Sequence, residues 1–254
     1  MTRFFLLLLV SVEVFLPTAC AQEVPQQTPV SALVAEPLPQ TVEVSSTKDP
    51  ELKPYRTMVK GLDAYEQNRK MAPLAPIRFI LTSRTPNFEL AKLGLRIAGD
   101  TVSIPIELAA DGSFSLPRSD IALDEKADIV LNVKKNMVGW RPFIRTPNLP
   151  ANQMRLGDLR LECEIRWAIE YDESPFFIRN LFRLAGGPCH SSKIAYDVPV
   201  PKLLSVKLTQ GERTLRLTQY RDTFYPPLHD ESWSDDSVIE LSFSENAKTD
   251  LNAR

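Results

Sequence analysis

Between Leu159 and Ile169 the chain alternates with a period of two. Leu159, Leu161, Cys163, Ile165, Trp167 and Ile169 share one parity, while Arg160, Glu162, Glu164 and Arg166 share the other. That spacing is the signature of a half-buried β-strand, so the segment is expected to be the central strand of the fold. At about 3.3 Å per residue it would span roughly 35 Å, long enough for several shorter strands to pair along it. Its polar face runs plus, minus, minus, plus, which suits cross-strand charge pairing on a wetted surface.

The start of the chain bears on compartment. Arg3, the apolar run Phe4 to Val10 and the small residues of Ala19-Cys20-Ala21 ahead of Gln22 form a targeting signature, so residues 1–21 read as a signal peptide and the protein as exported. The run is too short to cross a bilayer, and Glu13 interrupts it. Cys20, preceded by Thr18 and Ala19, also fits a lipoprotein processing site, although Pro17 stands where that pattern has a leucine. The protein is then expected in the periplasm or outside the cell, either free or tethered to a membrane solely through Cys20. A net charge of −2 argues against nucleic acid as a partner, since that demands a strongly basic surface. Cys163 and Cys189 remain once Cys20 is cleaved away or lipidated. In an oxidising compartment they are expected to pair and to stabilise the fold by about 3–4 kcal/mol.

Along the chain, Pro25, Pro29, Pro37 and Pro39 mark residues 22–47 as a Pro/Gln-rich disordered linker. Residues 48–73 read as an amphipathic helix that docks on the β domain: Pro54 suits its first turn, and Tyr55, Met58, Val59, Leu62 and Tyr65 fall on one face. Gly61 weakens that helix, which therefore depends on docking. Residues 74–246 read as the β region, with a lobe boundary near 142–157, and 247–254 as a polar tail. Alternation around Phe79, Leu95, Ile104 and Leu131, with turns at Gly99-Asp100 and Asp111-Gly112, predicts a β-meander. Pro105 places its strand at a sheet edge or turns its missing donor toward solvent. Ser174-Pro175 opens a short helix of Phe177, Ile178, Leu181, Phe182, Leu184 and Ala185 that ends at Gly186-Gly187-Pro188, and its apolar breadth means that it covers one end of the core or else meets a membrane or partner. Leu204 to Leu217 predicts a hairpin, and Ile239, Leu241 and Phe243 the last strand. The expected fold is mainly β: an antiparallel β-sandwich of one large or two small lobes, with an N-terminal amphipathic helix and one short disulfide-stapled helix.

Residues 93–133, through Asp111-Gly112-Ser113-Phe114 followed by Leu116-Pro117, resemble the transthyretin-like β-sandwich found as the regulatory domain of carboxypeptidases and in many exported proteins. The resemblance implies a non-catalytic accessory domain and names no ligand.

Two stretches carry chemistry-bearing residues. Residues 134–157 read as a long irregular segment in which Trp140, Arg141, Phe143 and Arg145 offer charge and aromatic surface to an anionic or sugar-like ligand, or else form a crossover between sheets. Around Trp233, the residues His229, Asp230, Glu231, Asp235 and Asp236 offer a hydrolase its carboxylates, or form a solvated acidic turn. No GxSxG, HExxH, P-loop or GxGxxG motif is present, and no metal or cofactor is expected. The expected role is an exported or envelope-associated binding or accessory protein, not an enzyme, with an envelope protein or cell-surface polymer as partner. The alternatives are a glycan- or ester-directed hydrolase and a structural surface lipoprotein.

Overall fold

The computed structural model describes residues 49–85, 88–184 and 186–243. The signal peptide, the Pro-rich linker and the polar tail of the sequence reading lie outside them. In chain order the elements begin with β1 (Pro50–Pro54), α1 (Tyr55–Asn68), β2 (Ile77–Ser83), β3 (Leu95–Ala98), β4 (Ser103–Ile106) and β5 (Ser113–Phe114). There follow α2 (Asp120–Asp124), β6 (Asp128–Lys134), β7 (Val138–Ile144), β8 (Gln153–Arg155), α3 (Leu156–Glu170) and α4 (Phe176–Leu184). The last are β9 (Val198–Pro199), β10 (Leu203–Gln210), β11 (Arg213–Arg216), β12 (Thr218–Tyr220), β13 (Thr223–Tyr225) and β14 (Val238–Phe243). The protein is mainly β, built of antiparallel sheets with a few helices.

The expected central strand is instead helix α3. The period of two has a different cause. A helix advances 3.6 residues per turn, so one that is apolar on two opposite sides repeats its apolar positions about every 1.8 residues, close to a strand's period over three turns. Leu161, Ile165 and Ile169 enter one core, together with α1 and the strands from β2 to β7. Leu156, Leu159 and Cys163 enter the other, with Val206, Leu208, Phe224, Trp233 and Ile239. One helix therefore serves both hydrophobic clusters, and the alternation records burial on two sides rather than one.

Strands β1 to β7 do not form a meander. They lie in two sheets, ordered β1-β6-β3-β4 and β5-β2-β7, so the chain passes repeatedly from one sheet to the other. Turn residues alone do not encode such pairing, because it depends on contacts distant in sequence. The other two sheets are ordered β11-β10-β14-β8 and β12-β13-β9, so β8, just ahead of α3, pairs with a strand from the end of the chain. Prolines obey the ladder rule: Pro50 and Pro54 in β1, Pro105 in β4, Pro142 in β7 and Pro199 in β9 all stand on edge strands, where a missing N–H breaks no interior ladder.

Helix α1 begins directly after Pro54 and buries Tyr55, Met58, Val59, Leu62 and Tyr65. Its Gly61 has a packing reason. A Cβ there would stand 2.7 Å from Ile169 Cδ1 and 3.2 Å from Ile165 Cγ2, so glycine permits the close approach of α1 and α3. The lost helix propensity, about 1 kcal/mol relative to alanine, is offset by that packing.

Candidate functional site

Residues 134–157 are not a long loop. Lys134 ends β6, a short turn follows, and Trp140, Arg141 and Phe143 stand on β7, which pairs with β2 from Ile77↔Ile144 to Ser83↔Val138. Each of the side chains singled out there has an internal partner. Trp140 Nε1 donates to Glu51 (3.3 Å), and its ring meets Phe114 edge-on. Arg141 donates to the carbonyl of Asp197 (2.9 Å). Arg145, just beyond β7, lies over the Phe143 ring and pairs with Glu162. Glu162 also accepts from the Ile144 amide (2.9 Å), while Asp158, one turn earlier on α3, accepts from the Thr146 amide (3.0 Å) and hydroxyl (2.7 Å). Two buried carboxylates of α3 thus hold the end of β7. A cavity of about 20 Å³ lies between Trp140, Arg141, Met58, Arg166 and Glu170. It has room for about one water and none for a sugar ring.

The 229–236 segment is organised just as firmly. Arg160 donates to the carbonyls of Leu228 (3.0 Å) and Asp230 (2.8 Å) and pairs with Asp235 (2.7 Å), while Arg155 pairs with Asp236. Asp230 accepts from the Ser232 amide (3.0 Å). Hydrogen bonds from the Ser232 hydroxyl and amide hold its carboxyl below the usual aspartate value. Trp233 is 1% exposed and has Arg213 stacked 3.8 Å from its ring centre, so no sugar can reach that face. His229 and Glu231 are exposed. Asp235 and Asp236 are held by different arginines rather than converging with the aromatic in one cleft. Among the described residues no cluster of three or more His, Cys, Asp or Glu is arranged to hold a metal ion.

The strongest candidate is α4, for which the sequence offers two roles, covering an end of the core or meeting a membrane or partner. None of its residues is buried. Phe176, Phe177, Leu181 and Leu184 are 72%, 75%, 52% and 88% exposed. Together they present on the order of 500 Å² of apolar surface, near the top of the range seen for the largest patches on soluble monomers. Ile178 and Phe182 take the opposite side and are half-buried, with the Phe182 ring 5.3 Å from that of Trp167. Arg179 and Arg183, one turn apart, border the exposed face.

The fastening of α4 is local. Cys163 of α3 is bonded to Cys189, with Cα atoms 5.8 Å apart, which closes the α3–α4 hairpin with the pair of cysteines expected from the sequence. Ser174 Oγ donates to the Glu170 carbonyl (3.1 Å), Arg179 pairs with Asp172 (3.9 Å), and His190 faces Glu164 (3.0 Å) beside the disulfide. Asp172 is held below its usual value, chiefly by the Lys60 hydrogen bond and then by the charges of Lys60, Arg179 and Arg56. Tyr196, whose ring lies beneath Arg166 of α3, is buried, and that burial pushes its phenol up in pKa. The apolar positions of α4 were legible as a helix. What hid their role is that residues 176–184 are apolar on two sides, and only contacts with Trp167 decide which side faces inward.

No protein-family model, curated protein or solved structure matches the chain.

Proposed function

We propose that this chain is an exported, envelope-associated binding or accessory protein that docks on a hydrophobic surface through α4. The observation that carries the reading is the exposure of Phe176, Phe177, Leu181 and Leu184 on one side of a helix whose base is fixed covalently. An apolar patch of this size in water is unfavourable unless something covers it in use. A single disulfide supports export, because such bonds persist in oxidising compartments, and lipidation at Cys20 remains the second half of the localisation proposal. Two sheets lining one core ahead of α3 support the β-sandwich reading of that region.

Site-specific photo-crosslinking tests the docking reading. With p-benzoylphenylalanine in place of Leu181 in the full chain, irradiation of the producing cells is expected to yield an adduct with protein or lipid. The same probe at exposed Glu212, in the turn between β10 and β11, is expected to yield none. Equal labelling at both positions, or none at Leu181, would contradict the proposal.

A further inference from the structure

We infer that the surface met by α4 is the interfacial layer of a lipid bilayer carrying anionic headgroups. This rests on the docking reading above and names its partner.

Area is the first argument. A stable protein–protein interface takes about 800 Å² from each partner, whereas the α4 patch offers on the order of 500 Å². A second copy of the chain, or a partner held by this patch alone, would be undersized. A bilayer sets no such minimum, because it closes around whatever apolar side chains enter it.

Shape and charge supply the second. Leu184, Phe177 and Phe176 are each more than two thirds exposed, so they project into solvent, as side chains that enter a soft interface must. Along the border run Arg179, which is paired with Asp172, and Arg183. Arg183 is exposed and forms no ion pair among the described residues, which leaves its guanidinium for a phosphate. This pairing of an apolar face with a cationic edge is that of an interfacial helix.

Reach is the third. Nine residues with four inserted side chains bind a bilayer only reversibly, and stable attachment takes a second anchor. The sequence offers one at Cys20. Residues 21–48 separate it from Asp49, so an acyl group at Cys20 would tether the same chain that carries α4.

The test uses the full chain carrying Cys20→Ser, so that no acyl group contributes, in flotation with vesicles of phosphatidylglycerol mixed into phosphatidylethanolamine and with vesicles of phosphatidylcholine alone. Binding to the anionic vesicles, weaker on phosphatidylcholine, is expected. Phe177→Asp combined with Leu184→Asp should reduce it roughly tenfold or more. Both positions are exposed, so an unchanged unfolding temperature verifies that the variant is folded. Flotation that the double variant retains would overturn the inference. No flotation, with the Leu181 probe still crosslinking to an envelope protein, would overturn the lipid assignment and leave the docking reading standing. Failure of both would overturn the two together.

Discussion

Gly157→Ala is expected to lower the unfolding free energy by about 3 kcal/mol, read as a shift in the urea midpoint at unchanged slope. On an exposed helix the same exchange would stabilise, since alanine is the better helix former by about 1 kcal/mol. The sign therefore reports packing. A Cβ on Gly157 would overlap the carbonyl oxygen of Met71 and stand 3.0 Å from that of Asp235, both of them backbone atoms that no rotamer change can move aside. Gly157 also donates its own N–H to the Asp235 carbonyl at 3.0 Å. The first turn of α3 is thus wedged between the segment following α1 and the loop that carries Trp233. Any added atom pries the two hydrophobic clusters away from the helix they share.

Cys163→Ala combined with Cys189→Ala should destabilise by about 3–4 kcal/mol in the chain-entropy model for a 26-residue separation. The local consequence is larger than the global one. Helix α4 buries no residue of its own, and beyond the disulfide it is held mainly by the Phe182–Trp167 edge contact and by short polar contacts at its start. A nine-residue helix without tertiary support is marginal in water. Amide exchange in 176–184 is expected to approach the unprotected rate in this variant while α1, β2 and β14 stay protected. Protection of α4 equal to that of the parent would show that the disulfide is not its main fastening.

Elements whose apolar face meets one core were legible. Ile77, Phe79 and Leu81 gave β2, Ile129, Leu131 and Val133 gave β6, and the turn at Gln210-Gly211-Glu212 gave the β10–β11 hairpin, because a half-buried strand writes its burial directly into alternate positions. Leu159 to Ile169 was misread for the same reason. Its alternation is real, but burial on two opposite sides of a helix produces nearly the strand period, and only the partner cores distinguish them. Residues 138–144 read as irregular because Arg141 and Pro142 disguise an edge strand. Arg145 looked like a ligand-binding residue because its partner Glu162 lies on an element then assigned to a strand face in solvent. Sheet order lay beyond the pattern altogether. The candidate site was half legible: the helix and its disulfide followed from Ser174-Pro175, Gly186-Gly187 and the two cysteines, while its exposed side followed only from packing against Trp167.

The most direct test of the account is carbene footprinting of α4, comparing purified protein with intact cells that produce it. The account predicts heavy labelling at Phe176, Phe177, Leu181 and Leu184 in the purified chain and protection of those four in cells, with exposed Glu212 and Tyr220 labelled in both. Equal labelling of α4 in the two states would mean that nothing covers it where the protein works, and the docking role would fall.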